Sequence, residues 1–201
     1  MLPILLTLIA AYLIGSLSFA VLVSRLYGLP DPRSFGSGNP GATNVLRTGR
    51  KSAAALTLAG DAAKGAIAVL LAAWASRSYG MPDWTPALAT LAVFAGHVWP
   101  VFFDFQGGKG VATALGVLLA LDPWLGLACL VTWLAVFGIT RISSLSALTA
   151  AGLAPLYAWL LSHDAALSGA MLALAALIVW RHRANIRKLM RGEEAGFGKK
   201  A

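Results

Sequence analysis

The chain is a succession of apolar segments, most of them close to the length of a membrane crossing, and nothing else in it constrains the fold as strongly. The segments run Leu2 to Ser24, Ala53 to Ala75, Trp84 to Phe103, Val111 to Leu121, Pro123 to Thr140, Leu145 to Leu161 and Ala165 to Trp180. A helix rising ~1.5 Å per residue needs about 20 residues to cross hydrocarbon. Val111 to Leu121, with eleven residues, reaches only about 16 Å. Of 201 residues 58% are hydrophobic and 12% charged, against roughly a quarter charged in soluble domains. A soluble globular fold is excluded, and so is disorder, because the chain has ample apolar surface to bury. The lone Cys129 excludes an internal disulfide and a Cys-rich zinc site. No basic stretch precedes the first segment and no small-residue cleavage site follows it, so it reads as a retained span. With no internal repeat or low-complexity tract, residues 1–201 read as a single membrane domain.

Charge placement sets the expected topology. The net charge of +8 comes from 16 basic and 8 acidic residues. Seven transmembrane helices with the N-terminus outside place the 27–52 loop, the 104–110 loop, Arg141 and the 181–201 tail in the cytoplasm, leaving only Arg77 outside. If Val111 to Leu121 dipped in and returned, Arg181, Arg183, Arg187, Lys188, Arg191, Lys199 and Lys200 would all face outward. The positive-inside rule opposes that arrangement. The expected fold is therefore an all-α polytopic membrane protein with a cytoplasmic C-terminus and a short fourth span shielded by its neighbours. Trp74, Trp84, Trp99, Trp124, Trp159 and Trp180 fall near span ends, where amphipathic rings favour the headgroup layer.

Polar, glycine-rich sequence interrupts the apolar pattern at three places. The first is Ser34 to Arg47, where Gly36, Gly38 and Gly41 match G-x-G-x-x-G but lack the strand and βαβ unit a dinucleotide site requires. Its glycines let backbone N–H groups converge on an anion. Ser37, Asn39, Thr43 and Asn44 add neutral donors, and Arg47 adds a bidentate one. Asp61 and Lys64, three residues apart on one helical face, are either a functional ionisable pair lending charge to an anion site or a structural ion pair.

The second place runs from Gly96-His97 to Gly107-Gly108-Lys109-Gly110 and Thr113. It is not a Walker A sequence, since Gly110 follows the lysine. Its glycines and lysine nevertheless open onto a helix start, where N–H groups and Lys109 can meet a phosphate. His97 is open to a structural role, to phosphate binding or to proton transfer. The third place is Arg181 to Glu194, whose cations suit topology and anionic lipid. There His182 and Asn185 share a helical face and are open to substrate binding or to a turn-stabilising role.

Taken together these stretches resemble the bacterial membrane-embedded glycerol-3-phosphate acyltransferases that use acyl-phosphate as donor. The resemblance rests on Gly-Ser-Gly-Asn-Pro-Gly-Ala-Thr-Asn at 36–44 with Arg47, on Gly-His97 followed by Gly-Gly-Lys109-Gly, and on Arg-His182-Arg-Ala-Asn185-Ile. It implies a seven-span fold in the bacterial inner membrane and a cytoplasmic active site without cofactor or metal. The implied reaction is acyl transfer to the 1-hydroxyl of glycerol-3-phosphate, giving lysophosphatidate and inorganic phosphate. It also implies importance for Ser37 and Arg47, for the second-loop glycines and Lys109, and for His182 and Asn185. Glu193 falls near the third-motif glutamate and is expected to be structural.

The residues agree with that chemistry on their own terms. Two phosphate-bearing substrates account for two glycine loops and clustered cations, with membrane lipid as the other partner and no nucleic acid. A His followed after four residues by Asp, common in other acyltransferases, is absent: Phe102, Ser168 and Arg187 stand at that spacing from the three histidines. The rival class is an organophosphate or anion transporter, which calls for inverted repeats and a midplane site.

Overall fold

A computed structural model describes residues 1–194 and Gly196. Lys199 and Lys200, expected in the cytoplasmic tail, lie outside the described residues. Those described are helical, without strands: α1 (Leu2–Gly15), α2 (Phe19–Leu26), α3 (Ala42–Leu46), α4 (Lys51–Ser78), α5 (Thr85–Val98), a 3-10 turn (Val101–Phe103), α6 (Val111–Leu121), α7 (Pro123–Thr140), α8 (Ser143–Ser162), α9 (Ala165–Arg181) and α10 (Arg183–Met190). By length and composition, five helical segments among the described residues can cross a membrane: Leu2–Leu26, Lys51–Ser78, Thr85–Phe103, Pro123–Thr140 and Ser143–Ser162. The α9–α10 pair, bent by 64°, passes the same test together, and α6 is a shorter apolar helix. The chain divides into two compact units, Met1–Leu121 and Asp122–Ala201.

In both units large apolar side chains face outward and small ones inward. Leu70, Leu71 and Trp74 of α4 are exposed, and Ile139 of α7 is 84% exposed, while Ala68, Ala72, Ala147, Ala151 and Ala158 are buried. Such inversion suits lipid, which is as apolar as leucine, so that helices associate through close packing and polar contacts.

In the first unit glycines set the crossings. A Cβ on Gly15 of α1 would overlap the Val93 carbonyl of α5, and one on Gly96 of α5 would overlap the Tyr12 carbonyl of α1. Likewise Gly65 of α4 lies against the Thr113 carbonyl and Gly116 of α6 against that of Ala62. The short α6, whose bounds match the apolar segment read from sequence, is thus seated directly on α4.

The first segment departs from the continuous span expected at Leu2 to Ser24. It breaks at 16–18 between α1 and α2. In an unbroken helix the Leu17 carbonyl would accept from the backbone; here it accepts from Lys64 Nζ of α4 at 2.6 Å. A carbonyl released by a helix break in an apolar segment calls for such a partner.

In the second unit α8 packs against both α7 and α9. Asp122 and Asp164 cap the starts of α7 and α9, each accepting from two backbone N–H groups, which satisfies donors left open at a helix N-terminus. Cys129 is buried, its Sγ 4.0 Å from the Ala150 carbonyl oxygen.

Candidate active site

The first loop is folded by Asn44. This residue of α3 is 1% exposed. Its Nδ2 donates to the carbonyls of Pro32 at 2.7 Å and Phe35 at 3.1 Å, and its Oδ1 accepts from Ser37 N at 3.1 Å. Asn44 therefore corrects the sequence expectation: its amide builds the loop from within, with both donors already engaged, instead of facing a phosphate. Ser37, Gly38, Thr43 and Arg47 are exposed, and Asn39 and Gly41 half-buried. Gly36 has a φ of +58°, and a Cβ there would overlap Asn44 Oδ1 and stand 3.3 Å from Arg47 Nη1. Glycine lets the arginine lie against the loop backbone beside Ser37.

The second loop leaves α5 through the 3-10 turn and passes Asp104 and Phe105, both left-handed with φ of 53° and 58°. Its glycines answer to close approach. Gly107 lies on the carbonyls of His97 and Val98, and Gly110, with φ of +79°, lies under the Phe94 ring. Gly108 N donates to the His97 carbonyl at 3.2 Å. A side chain on Gly108 would overlap His97 Nε2 and stand 2.8 Å from the Pro40 carbonyl oxygen. Pro40 belongs to the first loop, so the two glycine loops meet at Gly108, next to half-buried Lys109 and the start of α6.

A second tie between the loops had no distinguishing mark in the sequence. Arg33 Nη2 binds Asp31 Oδ2 at 2.8 Å, while its Nη1 donates to the Phe103 carbonyl at 3.3 Å and lies 3.6 Å from Asp104. The Arg33 side-chain hydrogen bond holds the Asp31 carboxyl below its ordinary range, against partial burial. The same bond raises Arg33.

Beneath the loops four polar side chains from three helices meet. Lys64 Nζ lies 2.8 Å from Asp61 Oδ1. His97 Nδ1 lies 3.6 Å from that oxygen and 3.1 Å from Thr113 Oγ1. Lys64 is 2% exposed and Thr113 fully buried. Both were expected at a substrate phosphate. Lys64 instead joins Asp61 to the α1–α2 break, because a buried ammonium needs a counter-charge and further acceptors; of the two readings open in the sequence, the ion pair describes it. Thr113 turns its hydroxyl to His97, away from the loop surface.

In the second unit His182 sits between α9 and α10, 2% exposed, with Nδ1 2.8 Å from the Ile178 carbonyl oxygen. A carbonyl only accepts, so Nδ1 carries the proton, and a neutral ring presents Nε2 as an acceptor. Asn185 Nδ2 donates to Glu194 Oε1 at 2.5 Å, and Ser144 Oγ donates to the same oxygen at 2.6 Å. This corrects the expectation for Glu193, which is exposed. The chain turns at Gly192, φ +70°, leaving Glu193 outside and bringing Glu194 inward, so the side-chain contacts belong to Glu194. Among the described residues no three His, Cys, Asp or Glu side chains cluster to hold a metal ion.

The family described as glycerol-3-phosphate acyltransferase matches residues 5–192. A protein of that name from Thiobacillus denitrificans is 63% identical over 199 residues, covering 98% of each chain. Another, from Methylobacillus flagellatus, is 58% identical over 193 residues, covering 96% of each. Two crystal structures of PlsY, an integral membrane glycerol 3-phosphate acyltransferase, share the fold. Its glycerol 3-phosphate form has a TM-score of 0.89 at 40% identity, covering 97% of this chain and 96% of that one. Its lysophosphatidic acid form has a TM-score of 0.88 at 39% identity, covering 97% and 95%. With a family match across nearly its whole length and the same helical fold, this chain belongs to the glycerol-3-phosphate acyltransferase family.

Proposed function

We propose that this protein transfers a fatty acyl group from acyl-phosphate to the 1-hydroxyl of glycerol-3-phosphate at the cytoplasmic face of the bacterial inner membrane. The observation that carries the reading is the meeting of the two glycine loops at Pro40 and Gly108, beside Lys109 and the α6 start. Backbone N–H groups and a cation gathered there suit phosphate, the group both substrates share. In this reading Ser37, Arg47 and Lys109, together with His182 and Asn185, act on the substrates. Gly38, Asn39, Gly41, Thr43, Gly107 and Gly110 shape or line the anion sites.

Acyl-phosphate is already activated. The glycerol-3-phosphate hydroxyl oxygen bonds to the acyl carbon, the bond from that carbon to the phosphate oxygen breaks, and phosphate leaves with the electron pair. The hydroxyl proton passes to a phosphate oxygen. The protein then has to position two anions and stabilise developing charge. Seven spans, with α6 as the short fourth, put the motif loops in the cytoplasm and are supported by the placement of the basic residues.

Purified protein in detergent, given acyl-phosphate and glycerol-3-phosphate, should form lysophosphatidate and inorganic phosphate with no second compartment. No product under those conditions would reject the reading. Under the same conditions His97→Asn and His182→Asn should retain measurable single-turnover chemistry. Loss of the chemical step together with an ionisation near ~6.5 in one of them would make that histidine the base.

A further inference from the structure

The buried cluster reaches the loops through His97. Thr113 lies in the first turn of α6, two residues beyond the start of that helix, and its Oγ1 is 3.1 Å from His97 Nδ1. The opposite ring nitrogen, Nε2, is the atom a side chain on Gly108 would overlap, with the Pro40 carbonyl at its other side. The ring of His97 thus stands between α6 and the junction of both glycine loops, and its Nδ1 edge is faced by Thr113 and by Asp61 at 3.6 Å.

We propose that Thr113 is a positioning residue for the phosphate substrates: its hydroxyl fixes the His97 ring, and the ring fixes the Pro40–Gly108 junction against the start of α6. This rests on the phosphate-binding reading of the loops. A histidine ring has two rotatable bonds, and a hydrogen bond to one nitrogen decides where the other points. Without the hydroxyl the ring loses the shorter of its contacts to Thr113 and Asp61 at the Nδ1 edge, and donors that must converge closely on one anion lose part of their common support. Because phosphate is held before and during transfer, the loss falls on uniform binding and so on KM more than on kcat.

Thr113→Val keeps the branched shape against α4 and removes the hydroxyl, whereas Thr113→Ser keeps the hydroxyl. With purified protein in detergent, Thr113→Val should lower kcat/KM by about three- to tenfold, the range of one hydrogen bond. A rise in KM for glycerol-3-phosphate or acyl-phosphate should carry the change, and Thr113→Ser should come within about twofold of the unsubstituted protein. Combined with His97→Asn, the effect should be less than the product of the two single effects, since both interrupt one connection. If Thr113→Val does not purify folded, Thr113→Ala carries the same comparison. Partial unfolding would lower apparent kcat and leave KM unchanged, so an unchanged KM for both substrates overturns the proposal. A KM effect that Thr113→Ser does not restore, or effects that multiply fully with His97→Asn, overturn it as well. Lys109→Ala run alongside separates the two levels. If it too is unimpaired, the phosphate reading of the loops fails; if it alone is impaired, only the role of Thr113 fails.

Discussion

Glycine serves opposite ends in the two units. In the first, Gly15, Gly65, Gly96 and Gly116 each stand where a Cβ would strike the backbone of a neighbouring helix; in the second, Gly138, Gly152 and Gly169 face open space. The second unit packs its middle helix through Ala147, Ala150, Ala151, Ala154 and Ala158 instead. Close crossings let Asp61, Lys64, His97 and Thr113 from three helices meet under the loops. The second unit keeps His182, Asn185 and Glu194 at the end of its last helices, with Glu194 accepting from both Asn185 and Ser144 at the start of α8. Among the described residues, glycine crossings over a buried ion pair are thus found in the half that carries the glycine loops.

The largest effect should come from splitting its ion pair. Asp61→Ala leaves the Lys64 ammonium with only the Leu17 carbonyl, and stranding one partner of a buried pair costs about 3–5 kcal/mol. Thermal unfolding in detergent should show that loss, while Asp61→Leu combined with Lys64→Met should recover most of it. A single substitution as stable as the parent would remove the buried-charge side of the comparison.

Activity should depend next on the exposed edge of the same unit. Lys109→Ala and Arg47→Ala each remove a charged donor worth roughly 1.5–3 kcal/mol, or about ten- to a hundredfold in kcat/KM. Unchanged kinetics in both would leave the loops without a binding role.

The glycines test the comparison itself. Gly116→Ala and Gly96→Ala force a methyl into backbone and should destabilise by about 1–3 kcal/mol. Gly152→Ala and Gly169→Ala lie in helices with space around them and should be neutral or stabilising by up to roughly 1 kcal/mol. Equal melting-temperature shifts in the two sets would erase the difference between the units.

These contrasts mark how far the chain could be read without its structure. The bounds of α6 and α7 were legible because Gly110, Asp122, Pro123 and Arg141 punctuate the apolar runs. The glycine loops were legible because such density has no use in a plain connector. The break at 16–18 was not, since Ser16, Leu17 and Ser18 fit an apolar helix and only the distant Lys64 gives the freed carbonyl its partner. Asn44 and Thr113 were read as donors to substrate by residue type, but direction depends on tertiary neighbours, which turn both inward. Arg33 looked like one cation among many, because Phe103 and Asp104 stand seventy residues away or more.

Glu193 and Glu194 are adjacent acids that spacing alone does not separate, and they offer a smaller test in the second unit. Glu194→Gln should weaken the hold on Asn185 and Ser144 by about 0.5–1.5 kcal/mol, the worth of a typical hydrogen bond, and lower kcat/KM by a few-fold. Glu193→Gln should change neither stability nor kinetics. The reverse order would return the structural role to Glu193.

The smallest effect concerns the surface tie between the loops, and its sign follows from Asp31. Arg33 depresses the Asp31 carboxyl in the folded protein, so the folded state holds this proton less readily than the unfolded chain. The contribution is therefore fully present above the unfolded pKa and disappears as pH falls through the lower, folded one. Asp31 is one-third exposed, so screening limits the pair to roughly 0.2–1 kcal/mol. Asp31→Asn should be less stable than the parent by that margin at neutral pH. The two melting curves should converge in acid, where the parent carboxyl is protonated too. Taking the difference between the proteins cancels other groups that titrate alike in both. A gap that stayed constant into acid would assign it to shape instead of charge. A gap that widened in acid would contradict the depressed carboxyl and, with it, the pairing of Arg33 with Asp31 that holds the guanidinium in the first loop.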